Sequence, residues 1–139
     1  MKLTIIGFWG GFPAANGASS LYIVEKNDTI IALDFGSGGL LKLQQYKSVD
    51  ELDAVILSHY HADHNADIGV LQHALLVNFY ITGINKKLPI YGHHEDKVQF
   101  SLLQSDHTEG IVYNSNDILT IGPFSIRFLK TNHSVPCSV

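Results

Sequence analysis

The order of apolar and polar residues predicts alternating strands and helices along the chain. Apolar runs bounded by turn-forming residues predict eight strands, at residues 2–7, 21–25, 29–35, 52–57, 88–91, 111–113, 118–121 and 124–129. Longer, mostly apolar or amphipathic stretches predict helices at residues 40–46, 68–81 and 95–104. Residues 8–18 and 131–139 are predicted to be loops. The interleaving of strands and helices predicts a mixed α/β fold, with residues 1–139 in a single domain.

Two apolar stretches imitate targeting or membrane segments. Residues 1–17 have the length of a signal peptide, but glycines and Pro13 interrupt them, which favours a first strand and a glycine-rich loop. Residues 68–84 carry Gln72, His73 and Asn78 and are too short and too polar to span a bilayer. We therefore expect no membrane partner and a cytoplasmic location.

Composition narrows the function further. The chain has 139 residues, of which 45% are hydrophobic, so it can bury a core. Nine Lys and Arg residues, with Arg127 the one arginine, stand against thirteen acidic residues and give a net charge of −4, which argues against a surface built to hold long nucleic acid. The single cysteine, Cys137, excludes an intrachain disulfide framework. Eight histidines are the unusual feature.

Three of those histidines lie together with an aspartate directly after the predicted strand 52–57. They form an H-x-H-x-D-H pattern of His59, His61, Asp63 and His64. Imidazole nitrogen and carboxylate oxygen are good ligands for zinc and its neighbours. In an extended or turning backbone, His59 and His61 project to one side and can share an ion. The alternative is a polar surface loop that happens to be rich in histidine.

These residues resemble the motif of the metallo-β-lactamase-fold hydrolases, and two further segments extend the resemblance. The strand that ends in Asp34 and Gly36 resembles an earlier family strand, and Asn132-His133-Ser134 resembles the third family motif. The HSVPC ending and the glycine-rich first loop are most similar to the ribonuclease Z and phosphodiesterase branch. The resemblance implies the αβ/βα sandwich, of which this chain would be the N-terminal half.

The resemblance also implies a two-metal site. His59, His61 and His133 would hold one divalent ion, while Asp63 and His64 would hold a second beside a bridging water or hydroxide that attacks the substrate. Asp63 would be the catalytic residue that orients this water, and Asp34 would support the metal loop by hydrogen bonding. Zinc suits the ligand set, although manganese or iron can occupy such sites.

The chain also departs from the family pattern. A later bridging aspartate and a final histidine ligand are missing, so we expect the domain to be incomplete at its C-terminus. The glycine usually found shortly after the motif comes late, at Gly69, and His93 follows Gly92 where ribonuclease Z proteins commonly have proline. The missing proline, together with the shortage of arginine, favours a small ester or nucleotide-like substrate over RNA. A phosphodiester is preferred; a lactone, thioester or β-lactam remains open, as does a non-catalytic metal-binding fragment. We expect a homodimer.

Other residues are weaker candidates. His93 and His94 are expected to be exposed residues capping a helix, His73 to be a core histidine, and His107 to lie in a surface loop. Cys137 is expected to pack rather than to bind metal, and Asp67 to cap the helix that it precedes. The loop of residues 10–13 can hold a phosphate on its amides, although loop architecture alone explains its glycines.

Overall fold

Strands and helices alternate along residues 1–137, which are the residues described in this computed structural model. The strands are β1 (Lys2–Gly7), β2 (Leu21–Lys26), β3 (Thr29–Leu33), β4 (Ala54–Ile56), β5 (Leu88–Gly92), β6 (Thr108–Val112), β7 (Ile118–Ile121) and β8 (Phe124–Arg127). The helices are α1 (Gly39–Leu43), α2 (Ala62–Asn65), α3 (Ile68–Thr82) and α4 (Lys97–Ser101), and a 3₁₀ turn spans Val49–Glu51.

The first six strands form one sheet in chain order, from β1 to β6. Strands β1, β2 and β3 pair antiparallel, and β3, β4, β5 and β6 pair parallel. The β2–β3 hairpin turns at Asn27 and Asp28, whose φ angles of 47° and 63° are those that tight hairpin turns require. The carboxyl ends of the parallel strands therefore meet at one edge, where open α/β sheets place their ligands.

Each face of this sheet is covered by a different layer. Because successive strand residues point to opposite faces, β4 sends Val55 to one side and Ala54 and Ile56 to the other. Val55 lies in a core that includes helix residues such as Leu43 and Leu71. Ala54 and Ile56 lie in a second core with the antiparallel pair β7–β8. The result is a helix–sheet–sheet arrangement, which confirms the mixed α/β prediction.

Several predicted bounds were wrong. The strand predicted at 29–35 ends at Leu33, because Asp34 adopts a left-handed φ of 58° that no strand contains. The helix predicted at 95–104 spans Lys97–Ser101, because the Asp96 carboxylate caps its first turn by accepting from Val98 and Gln99.

Other elements differ by their ends or were not predicted. The strands predicted at 52–57, 111–113 and 124–129 are Ala54–Ile56, Thr108–Val112 and Phe124–Arg127, and the helix predicted at 40–46 spans Gly39–Leu43. Helix α2 and the 3₁₀ turn were not predicted. The predicted loop 131–139 is irregular as far as Cys137, and its last two residues lie outside the described part of the chain. Within residues 1–137, no helix is long and apolar enough to cross a membrane.

Candidate metal centre

The ends of two neighbouring parallel strands bring the motif residues together. Asp34 directly follows β3, and Ser58 and His59 follow β4, its neighbour in the sheet. The chain then turns into the short helix α2, whose first turn contains Asp63 and whose last turn contains His64. His133 arrives from the segment that follows β8.

Three histidine rings converge at this edge of the sheet. The His61 Nδ1 atom lies 3.1 Å from His59 Nε2 and 3.1 Å from His133 Nε2. One ring nitrogen from each of the three residues lies within 4.8 Å of the other two. Tetrahedral zinc with bonds of 2.0–2.1 Å to nitrogen places its ligand atoms about 3.4 Å apart, so the spacing and the donor type fit one divalent ion. His59 is buried and His133 is exposed, so the group is open on one side.

Asp63 and His64 form a second pair of donors beside these rings. The Asp63 Oδ2 atom lies 3.4 Å from His64 Nε2 and accepts a hydrogen bond of 2.7 Å from the Gly11 amide. The His64 ring centroid is 4.0 Å from that of His59. A cavity of about 440 Å³ is lined by all six residues predicted for the site, namely Asp34, His59, His61, Asp63, His64 and His133. The structure therefore brings together the six residues that the metallo-β-lactamase resemblance implied for the site.

The Asp34 carboxylate is the hydrogen-bonding centre beneath the two groups. It is 7% exposed and accepts from the Ser58 amide at 2.8 Å, the Ser58 hydroxyl at 2.9 Å, the Ser20 hydroxyl at 3.1 Å and His64 Nδ1 at 2.6 Å. Because His64 donates from Nδ1, its Nε2 atom keeps a lone pair directed toward Asp63. This agrees with the supporting role implied for Asp34.

Ser58 determines which ring nitrogen of His59 keeps its lone pair, as Asp34 does for His64. Its hydroxyl donates to Asp34 and lies 3.0 Å from His59 Nδ1, so that nitrogen donates to the hydroxyl and Nε2 is left as the free acceptor. The buried Cys137 Sγ lies 3.6 Å from the same Nδ1 atom. Cys137 therefore faces the non-ligating side of His59, as its expected packing role requires. Sequence reasoning missed Ser58, although a hydroxyl between a buried strand and the first histidine was the available signal.

Backbone contacts fix the motif loop against the chain that follows β3 and against the residue that precedes β2. The Phe35 amide donates to the His64 carbonyl at 2.7 Å, and the Ser20 amide donates to the Asp63 carbonyl at 3.0 Å. Gly36 lies so close to the Asp63 carbonyl that a Cβ atom at this position would collide with it. The glycine is therefore required by the close approach of two backbone segments.

Burial and neighbouring charges set the ionisation of these groups. Burial lowers the pKa of His59 to about 4, helped by the electrostatic effect of the neighbouring His64, so the His59 ring is neutral and able to bind metal at pH 7. Burial acts to lower the pKa of His64 as well, but the hydrogen bond and charge of Asp34 outweigh it and raise that pKa. Burial raises the pKa of Asp63, yet the Gly11 amide and His64 prevail and lower it, which keeps a carboxylate at the site.

Several weaker sequence predictions were wrong. His93 and His107, expected at the surface, are buried with exposures of 5% and 7%, while His73, expected in the core, is exposed on α3. Asp67 precedes α3 without capping it by its side chain, and its carboxylate instead accepts from the Leu40 amide in the first turn of α1. His94 is exposed, as expected.

The sequence profile of the Metallo-beta-lactamase superfamily matches residues 15–135, nearly the whole chain. This chain belongs to the metallo-beta-lactamase superfamily. The probable metallo-hydrolase YhfI of Bacillus subtilis (strain 168) is 51% identical over 138 residues, covering 99% of this chain and 57% of that protein. The crystal structure of YhfI, a metallo-beta-lactamase fold protein, matches with a TM-score of 0.95 at 50% identity, covering 98% of this chain and 56% of that one.

A ribonuclease Z of Methanosarcina mazei is a more distant relative of this chain. It is 25% identical over 144 residues, covering 98% of this chain and 46% of that protein. The chain thus spans about half the length of the curated relatives it matches. Fold class and family resemblance, as inferred from the motifs, are both confirmed.

Proposed function

We propose that the complete protein is a metal-dependent hydrolase that cleaves phosphodiester bonds in small, nucleotide-like substrates. The observation that carries the proposal is the convergence of His59, His61 and His133 at the carboxyl edge of the sheet. The relatives support it, since one is named a probable metallo-hydrolase and another a ribonuclease Z. We also propose that zinc is the metal, because neutral imidazoles dominate the ligand set.

The candidate metal ligands form two groups. His59, His61 and His133 would hold one ion, and Asp63 with His64 would hold part of the coordination shell of a second. When bound, divalent ions supply Lewis acidity and an activated water for hydrolysis. Asp63 is held by the Gly11 amide, so its carboxylate would be positioned to orient that water.

The surroundings favour a small substrate with one apolar part. A cavity of about 360 Å³ adjoins the metal-site cavity and shares Tyr22, Asp34 and Ser58 with it. Its walls are mostly apolar side chains, and Arg127 is their one cation. An apolar pocket with one guanidinium suits a base or ester group attached to a phosphate. The net charge of −4 disfavours a long polyanion.

Turnover by the complete, zinc-loaded protein tests the proposal. The substrates are bis(p-nitrophenyl) phosphate and a cyclic nucleotide, set against a lactone, a thioester and a β-lactam. We expect phosphodiesters to be cleaved and a His61→Ala variant to lose at least a hundredfold in kcat/KM, with His73→Ala, an exposed histidine on α3, as the matched control. Preferential cleavage of a lactone, thioester or β-lactam would contradict the proposed phosphodiester substrate. Failure to bind metal would contradict the proposal that the protein is a metal-dependent hydrolase.

A further inference from the structure

A part-buried contact joins the segment that carries His59 and His61 to the chain that follows β5. Tyr60 stands between His59 and His61 in the chain, and its hydroxyl donates to the His93 carbonyl at 2.6 Å. The Tyr60 and His93 rings also contact each other, with centroids 4.5 Å apart. The residue between the first two ligands is thus anchored to the end of β5, which lies beside β4.

The approach of Tyr60 depends on a glycine. A Cβ atom on Gly92 would collide with the Tyr60 hydroxyl and would also crowd Leu103. The Gly92-His93 sequence, which departs from the ribonuclease Z pattern, therefore has a structural use here. The glycine admits the tyrosine, and the histidine supplies both the carbonyl that accepts its hydrogen bond and the ring that packs on it.

His93 is itself held in place from the other side. Its Nδ1 atom accepts a hydrogen bond of 3.2 Å from the Glu95 amide, and its ring is 5% exposed. The Pro136 carbonyl lies near the same ring and favours its protonated form, although within the described residues the buried His93 Nε2 atom makes no hydrogen bond. Pro136 follows His133 by three residues, so His93 lies between the first two ligands and the segment of the third.

A second contact joins the same segments at the surface. The Lys130 ammonium lies 3.3 Å from the Glu95 carboxylate, and Lys130 precedes His133 by three residues. Residues 93–95 are therefore joined to the third ligand's segment by an ion pair at residue 130, and His93 lies near that segment at residue 136. They also contact the first two ligands through Tyr60. We name Tyr60, His93 and Glu95 the ligand brace.

We propose that the ligand brace sets the distance between His61 and His133, and that Tyr60, His93 and Glu95 are positioning residues which raise metal affinity without touching the ion. The inference rests on the three-histidine metal site proposed above. Outer contacts that orient metal ligands change affinity by about 10–100-fold when removed. The brace would orient two ligand segments together, because His59 and His61 follow β4 whereas His133 follows β8.

The test compares metal affinity with metal-free stability in the complete protein. Zn²⁺ affinity is measured by competition with a chromophoric chelator, and Co²⁺ reports ligand geometry through its visible absorption bands. Tyr60→Phe keeps the ring but loses the hydrogen bond to the His93 carbonyl, and Tyr80→Phe, at an exposed position of α3, is its matched control. We expect Tyr60→Phe to weaken Zn²⁺ binding about tenfold and to shift the Co²⁺ bands, while Tyr80→Phe changes neither.

A surface variant keeps the proposal testable if the buried change harms folding. Glu95→Lys and Lys130→Glu should each weaken Zn²⁺ binding by about two- to threefold, and the double swap should restore it, since exposed ion pairs are of that strength. The proposed role of the brace would be contradicted if Zn²⁺ affinity and Co²⁺ bands were unchanged in Tyr60→Phe, Glu95→Lys and Lys130→Glu. This holds whatever these variants do to the melting temperature. If the unaltered protein binds no metal, the metal site fails and the brace fails with it.

Discussion

Asp34 occupies a backbone conformation that few residues adopt, and this conformation accompanies an unusually large number of hydrogen bonds to its carboxylate. Its φ of 58° lies in the left-handed region, where aspartate and asparagine are among the least strained side chains after glycine. From there the carboxylate accepts from Ser20, Ser58 and His64 together. The local strain is offset by hydrogen bonds that fix the orientation of metal ligands.

Replacing Asp34 with asparagine isolates the charge of that group. Asp34→Asn retains the shape and tolerates the same φ, but its amide cannot accept from every donor around it. We expect Zn²⁺ affinity to fall about 10–100-fold. Isothermal titration measures the change, and Asp28→Asn, at the exposed hairpin position with φ 63°, is the matched control. Equal affinity for the two variants would contradict the role given to Asp34.

His93 gives a prediction about pH. Burial lowers the pKa of its imidazole, against the opposing effects of Glu95 and the Pro136 carbonyl. The unfolded chain therefore takes up a proton near pH 6.5 that the folded chain takes up only at lower pH, so stability falls as pH drops below about 6.5. In His93→Phe, the loss of free energy of unfolding between pH 7.5 and 5 should be smaller. Urea denaturation of metal-free protein measures it, and an unchanged difference would exclude His93 as a source.

At the scale of elements, helix α3 has a glycine near each end, and only the one at its C-terminal end is required by the backbone conformation. Gly83 ends the helix with a φ of 72°, whereas Gly69 lies in the first turn, where an added Cβ atom would meet open space and φ is not positive. We expect Gly83→Ala to lower the free energy of unfolding by about 1 kcal/mol. Gly69→Ala should raise it by about 0.5 kcal/mol. Urea denaturation of both variants decides, and the same sign for both would contradict the assignment of the helix end.

Element boundaries show where sequence reasoning worked and where it failed. Strand β7 was predicted at its observed bounds, because Ile118–Ile121 is a short apolar run with turns on both sides. Strand β6 begins three residues before its prediction, because Thr108, Glu109 and Gly110 pair with β5 without forming an apolar run. Pairing along a sheet edge needs backbone groups alone, so side-chain pattern does not reveal it.

The burial of individual histidines was harder to predict than the grouping of the candidate ligands. The H-x-H-x-D-H spacing placed the candidate ligands because all but His133 are close in the chain. His107 follows no apolar pattern, yet it lies beneath Phe79 of α3, with ring centroids 5.2 Å apart. His73 falls two positions from both Leu71 and Leu75, so the helix turns it to the outside when those leucines face the core.

For the whole molecule, metal binding should appear as stability. An ion that binds only the folded chain adds about 2.7 kcal/mol at a free concentration of one hundred times Kd. We expect the melting temperature of the complete protein to rise with Zn²⁺ and to return after chelation, whereas Ca²⁺, which prefers oxygen ligands, has little effect. Differential scanning calorimetry measures both. An equal rise with the two ions would argue against a histidine site.

The separation of His61 from His133 along the chain has a further consequence, for folding. The two rings meet across 72 positions, so an ion held between them ties off a long loop in the way that a disulfide would. Closing such a loop in an unstructured chain costs about 4 kcal/mol of entropy, by the logarithmic dependence on loop length. His59, His61 and His64, by contrast, are near enough to capture an ion before any sheet exists. His133 follows β8, so it can join His59 and His61 at low entropic cost only once the β7–β8 pair has packed on the main sheet, and completed coordination would mark a late stage of folding.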